Sequence, residues 1–254
     1  MSVASTDLVI YGSANIPTTD SGTMGGAIDT TVRYIFDSSS LANTLADTLE
    51  VLSSAAGDNT QTVTVYGRSS AGSIVNEVFT LAGTTVQNGA TTFQTILKVV
   101  VSASHTGTIT VRKATGDTTV VAIETGVLTV LRPFYNVSSD VSGGSTRNFY
   151  EKVFFKNNHA TLSLLSAVVS EQADPQGLIT FDLEDAVNDN NSVASRLNTA
   201  PTGMLGSFDS SSKNVPGTDL AAGSKIGVWL KLTLPAGNAA VLDTLTLRIA
   251  GSST

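Results

Sequence analysis

Cysteine is absent from the 254 residues. That excludes a disulfide framework, a thiolate nucleophile and a cysteine-bound metal. Charge is scarce as well. Charged residues make up 14 % of the chain, against roughly 25 % in ordinary soluble domains. The balance is acidic, with 14 Lys and Arg, 21 Asp and Glu and a net charge of −7. No basic patch is visible, and nucleic-acid binding needs one. Aromatic residues are 6 % with a single tryptophan, so no regular stacking platform for sugars is apparent. No stretch approaches the roughly 20 apolar residues of a membrane-spanning helix. The opening MSVASTDLVIYG has neither a basic start nor a long apolar run, and it is not read as a signal peptide. A product assembled in a cytoplasm is the expectation.

Catalytic signatures are missing too. There are two histidines, His105 in SASHTG and His159 in KNNHAT. Both are in turn-like settings and lack H-E-x-x-H spacing. GRSSAG at 67–72 misses the G-x-S-x-G nucleophile elbow. The Gly-Gly pairs at 25–26 and 143–144 lack the strand–loop–helix setting of a phosphate-binding loop. No catalytic residue and no cofactor or metal is expected. The acidic run DLEDAVNDN (182–190) brings Asp182, Glu184, Asp185 and Asp189 close in sequence. These are hard oxygen donors of the kind Ca²⁺ takes, but the EF-hand spacing and its glycine are absent, and a solvated loop is the plainer reading.

What is abundant is serine and threonine, about a quarter of the chain. β-branched threonine suits exposed strands, and a surface poor in charge gives little protection against association. Residues 31–131 read as strand after strand: 31–36, 47–53, 61–67, 74–81, 93–101, 107–113, 118–124 and 127–131. Each is bounded by turn residues. QTVTVYG shows the alternation, with Val63 and Val65 on one side and Thr62, Thr64 and Tyr66 on the other. Pro133 opens a break at 132–148. Residues 149–254 are a second β unit with strands at 149–156, 161–170, 177–183, 225–234 and 243–250. A long polar excursion fills 184–224, with a helical turn expected at Val193–Leu197. Residues 1–30, rich in Gly, Ser and Thr and without period, read as an extended arm that orders on another surface. The fold expected is all-β: two β-sandwiches, immunoglobulin-like or jelly-roll-like, with an extended N-terminal arm.

The strand IGVWLKLTLPAG (226–237) poses a question. Val228, Leu230, Leu232 and Leu234 share one parity, and Trp229 shares the other with Lys231 and Thr233. Either Trp229 anchors a contact between subunits, or part of 184–224 folds over it. A carbohydrate module built on Trp229, Tyr150 and Phe154 is a lesser alternative.

Two stretches resemble tailed-bacteriophage virion structural proteins. LVIYGSANIPTTDSGTMGGAIDTT (8–31) resembles the start of such proteins, and DLAAGSKIGVWLKLTLPAGNAAVLDTLTLRIAG (219–251) resembles a β-sandwich terminus from the same sort. The resemblance implies a non-enzymatic, multi-copy particle component and transfers no catalytic residues. The expected role is a capsid decoration or cement protein that binds and stabilises the shell, with a neck, tail or fibre-attachment subunit as the alternative. Partners would be other virion proteins and further copies of the chain, with no nucleic acid and no membrane. The residues expected at interfaces are Leu8, Ile10, Tyr11, Ile16, Trp229 and Lys231.

Overall fold

The computed structural model describes residues 2–34, 45–138, 144–238 and 245–252. The end of the expected strand 31–36, the start of 243–250 and Gly143 lie outside the described residues. The described chain is all-β, built as packed sheets, and its one helical element is a single 3₁₀ turn at Ser5–Asp7. It divides into two compact units, Thr30–Tyr135 and a second unit made of Met1–Asp29 with Asn136–Thr254.

The chain begins with β1 (Leu8–Asn15) and β2 (Met24–Asp29), which belong to the second unit. It then builds the first unit from β3 (Val32–Tyr34), β4 (Leu49–Ser53), β5 (Thr62–Arg68), β6 (Ile74–Thr80), β7 (Gln87–Asn88), β8 (Thr95–Val101), β9 (Ile109–Lys113), β10 (Thr119–Ile123) and β11 (Thr129–Leu131). These form a five-stranded sheet, β3-β11-β8-β5-β6, and a four-stranded sheet, β10-β9-β4-β7. One core joins them. Val63 and Val65 of β5, Val99 and Val101 of β8, Val51 of β4 and Val111 of β9 belong to a single buried cluster, as a sandwich requires. Alternation along β5 is as the sequence implies, with every second residue buried. The turn at 114–117 links β9 to β10, with Gly116 and Asp117 both at positive φ.

The second unit resumes with β12 (Arg147–Asn157), β13 (Leu165–Ala173), β14 (Ile179–Leu183), β15 (Ser192–Val193), β16 (Lys213–Asn214), β17 (Lys225–Leu234) and β18 (Thr246–Ser252). Its large sheet runs β14-β17-β12-β1-β2-β15, and a smaller sheet runs β16-β13-β18. Here the expectation of an N-terminal arm is corrected. β1 pairs antiparallel with β12, Leu8 opposite Asn157 through Tyr11 opposite Phe154, and pairs with β2 on its other side. The first half of β1, Leu8–Tyr11, is thus laddered to β12 and the second half, Gly12–Asn15, to β2, so the segment is part of the fold and not a free arm. The segment lacks hydrophobic period because its glycines serve close packing. Gly25 sits at φ +96°, and a Cβ there would lie 2.8 Å from both the Trp229 ring and the Asn191 carbonyl oxygen. Only glycine meets both conditions without strain. The helical turn expected at Val193–Leu197 is also corrected: the segment is β15 followed by an irregular stretch with a bridge from Leu197 to Phe149.

Candidate functional site

The strongest concentration of buried chemistry in the second unit lies around β12 and β17. Successive residues of a strand point to opposite faces. Along β17 the parity of Ile226, Val228, Leu230, Leu232 and Leu234 is buried, as the sequence implies. The other parity is buried too at its centre, where Gly227 and Trp229 lie beneath neighbouring chain. Register places Lys152 of β12 and Asp182 of β14 directly beside Trp229, one on each side. All three side chains are fully enclosed.

What covers this face is the chain's own loop and β2. Trp229 packs in a small cluster with Met24, Tyr150 and Val193, against which Met204 and Phe208 lean. The Tyr150 and Phe208 ring centres are 5.4 Å apart in an edge-to-face arrangement, a favoured geometry for aromatic pairs. Of the two readings of Trp229, the loop-covered one is observed. An intersubunit anchor would need an accessible ring, and Trp229 has 0 % exposure. The aromatic platform fails for the same reason, since Tyr150 and Phe154 are buried as well.

Under the cluster sits a buried ion pair. Lys152 Nζ donates to Glu184 Oε1, to the Asn191 carbonyl at 3.0 Å and to the Gly26 carbonyl at 3.3 Å. The Trp229 indole N–H donates to the same Glu184 oxygen at 3.4 Å. The ammonium also lies 4.7 Å from the Phe154 ring centre and 5.7 Å from that of Trp229. Both distances are within reach of the attraction between a cation and a ring face. Glycine makes this meeting possible. Glu184 N donates to the Gly227 carbonyl, and a Cβ on Gly227 would collide with the Glu184 carboxylate and with Lys152 Cε. Burial pushes the Lys152 amine below its ordinary value, with Glu184 opposing. Burial pushes Glu184 above the usual carboxylate range, with Lys152 opposing. The pair ties β12, β2, the end of β14 and the 189–191 stretch to one point.

The remaining buried charges are also held internally. Asp182 accepts from Leu183 N at 2.9 Å and Gly206 N at 3.0 Å, with Lys213 Nζ 3.8 Å away. It lies at the edge of a cleft of about 470 Å³ bounded by 205–206 and 212–218. Arg196 lies 3.9 Å from Glu151, donates to Asn136 at 2.6 Å and sits 5.8 Å from the Phe149 ring centre. In the first unit Asp58 accepts from Ser53, from the Thr106 N–H and hydroxyl and from Gly107 N, at 2.6–3.0 Å. Burial alone would raise its pKa; the hydrogen bonds outweigh burial and hold the carboxyl far below the usual range.

The other sequence-predicted residues lie on β1, just after it and on β17. Leu8, Ile10 and Ile16 are half-buried and Tyr11 is buried, its hydroxyl accepting from Asn158 at 2.8 Å. Lys231 is half-buried opposite Tyr150 and Thr180. The acidic run does not converge: Asp182 and Glu184 are engaged as above, and Asp189 accepts from Asn190 N and the Asn191 amide. Among the described residues no group of three or more His, Asp or Glu is placed to hold a metal ion. His105 is buried with its two ring nitrogens 2.7 and 2.8 Å from the Gly107 and Val127 carbonyls. His159 Nδ1 accepts from Thr161 N and Leu162 N. Sequence reasoning misses Lys152 and Arg196; Arg196 stands in the polar stretch NSVASRLNTA, which carries no mark of burial. Lys152 alone has a signal, in FYEKVFFK, where one charged pair interrupts an apolar run.

Compared with protein-family models, curated proteins and solved structures, the chain matches none.

Proposed function

We propose that the protein is a non-enzymatic structural subunit of a tailed-bacteriophage virion, a capsid decoration or cement protein that binds the assembled shell and reinforces it. The observation that supports this reading is where the two virion-like stretches lie. Residues 8–31 supply β1 and β2, residues 219–251 supply β17 and most of β18, and β1 and β17 flank β12 on its two sides in one sheet. The stretches are far apart in sequence and form one module. Low charge suits a body that packs against other subunits.

The test uses purified particles made with and without the gene. Decoration predicts many copies spread over the head, restored by adding the purified protein to particles that lack it, with greater resistance of the shell to heat or low salt. Copies confined to one vertex or to the tail would favour a neck, tail or fibre-attachment subunit. Absence of the protein from particles refutes the virion reading.

A further inference from the structure

Among the described residues, each of the four sheets ends in two edge strands. Unpaired edges invite pairing with other chains, and proteins blunt them by shortness, bulges, charge or cover. Most edges here are blunted. β7, β15 and β16 are two residues long and β3 is three. β10 and β18 are interrupted by register shifts. β14 is bridged by Asp209 at Phe181, and the residue that follows the strand, Glu184, is bridged by Met204.

β6 is neither short nor bulged, no described backbone pairs along its outer side, and it keeps only one of these devices, a single charge. It is seven residues long, IVNEVFT, and pairs with β5 in an unbroken ladder from Thr62 opposite Thr80 to Arg68 opposite Ile74. It contains no Lys, Arg or Pro. Its one charge, Glu77, is turned inward and accepts from Ala90 N and Thr91 N. Leu81 N donates to Gln61 O. With the ladder's register, the odd-numbered residues therefore address β5 and the even-numbered ones turn N–H and C=O outward. No described residue pairs with that outer side. Two of the same even-numbered residues carry the most exposed large apolar side chains among the described residues of the first unit, Ile74 at 56 % and Val78 at 58 %.

We propose that β6 is a homotypic interface, pairing antiparallel with β6 of a second copy of this chain about a two-fold axis at Asn76. The sequence of the edge selects this occupant. In that register Ile74 faces the partner's Val78, Val78 faces the partner's Ile74, and Asn76 faces the partner's Asn76. Every outward backbone group from 74 to 78 then finds a complement, both apolar pairs are covered, and no like charges are opposed. Pairing would join the five-stranded sheets of two copies into one continuous sheet. The contact is confined to 74–78 on each side, well under the roughly 1,200 Å² of a stable interface. It is therefore a concentration-dependent dimer in solution, suited to summing with other contacts in an assembly. The inference does not depend on the virion reading.

The test uses the full chain, which has no cysteine of its own. Sedimentation velocity up to roughly 1 mM, the range of weak association, should show a monomer–dimer equilibrium. Asn76→Lys should weaken it at least tenfold, as should Asn76→Glu, and an equimolar mixture of the two variants should restore it. A single thiol from Asn76→Cys should form a disulfide dimer under mild oxidation, since opposed strand residues lie about 5.5 Å apart at Cα. Thr80→Cys should not, because its equivalents would be about 26 Å apart at ~3.3 Å per residue. Asn76 and Thr80 are both exposed, so unchanged melting temperatures verify folding. A wild type that stays monomeric overturns the proposal. So does a dimer indifferent to Asn76→Lys, or cross-linking of Thr80→Cys as readily as Asn76→Cys.

Discussion

Replacing Lys152 by methionine leaves Glu184 enclosed with no cation, and replacing Glu184 by glutamine leaves the Lys152 ammonium enclosed with no anion. The two side chains are fully buried and bonded to each other. A buried pair contributes little net stability when intact, because desolvation offsets attraction, but removing one partner costs about 3–5 kcal/mol. Lys152→Met also frees the Gly26 and Asn191 carbonyls, which places it toward the upper end. The unit that carries the pair comprises Met1–Asp29 and Asn136–Thr254. For a domain of about 150 residues each kcal/mol moves the melting temperature by roughly 2–4 °C, so a drop of about 10 °C is expected for either variant. Trp229 is the only tryptophan and sits on the pair, so its fluorescence reports unfolding of this unit alone.

The pH dependence separates this account from simple loss of packing. In Lys152→Met, Glu184 has its pKa raised in the folded state by burial, now unopposed. The native state then binds the proton more tightly than the unfolded state, and stability falls as pH rises above the unfolded value of about 4.3. The variant should be nearest wild type at pH 4 and worst at pH 8. In Glu184→Gln, Lys152 has its pKa lowered by burial. The native state then binds the proton less tightly, so stability rises with pH toward the unfolded value of about 10.4. The slopes are opposite in sign. The double variant Lys152→Met with Glu184→Gln should lose clearly less than the sum of the two single losses, a coupling of about 1–3 kcal/mol, with the Gly26 and Asn191 carbonyls still unpaired. Parallel pH slopes for the two single variants, or additive losses in the double variant, would refute the reasoning.

Three further outcomes are expected. Gly25 has φ +96° and an added methyl there meets the Trp229 ring. Gly25→Ala should therefore destabilise the second unit by about 2 kcal/mol or more, read by denaturant unfolding followed through Trp229 emission. Asp58 holds four donors, and Asp58→Ala should cost the first unit about 3 kcal/mol by leaving them unpaired. In the wild type the folded pKa of Asp58 is depressed. Its contribution is present in full above the unfolded value of about 3.9 and is lost as pH falls below it; far-ultraviolet circular dichroism on acid titration of wild type and variant checks both. Deleting residues 1–15 should unfold the second unit, not merely detach a tail, because β1 pairs with β12 through Leu8–Tyr11 and with β2 through Gly12–Asn15. Loss of the Trp229 emission shift in the deleted protein would show it, and native-like emission would contradict it.

The first unit is legible in the sequence almost strand by strand, and the reason is physical. Where one face meets a core and the other meets water, burial alternates, as along QTVTVYG, and hydrophobicity records it. β12 and β17 break that condition. Both of their faces are covered, one by apolar packing and the other by β2 and the loop 184–224, so Lys152 and Trp229 are as enclosed as Val228. Period-2 reasoning assigns the off-parity face to solvent and cannot report a loop that returns over it. Residues 1–30 mislead for a related reason. A strand that hands over from one neighbour to the next beside glycines needs little hydrophobic pattern of its own, and Gly25 carries its information in an absent side chain whose place the Trp229 ring occupies. Loop 184–224 reads as a solvated excursion because it is polar. Part of its polarity is engaged inside: Glu184 bonds Lys152, and Arg196 donates to Asn136. A charged residue at a loop position and a charged residue under a loop have the same letter. Only the partner distinguishes them. For Lys152 both partners, Glu184 and Trp229, come from later and separate strand regions, and they meet it only because Gly227 makes room.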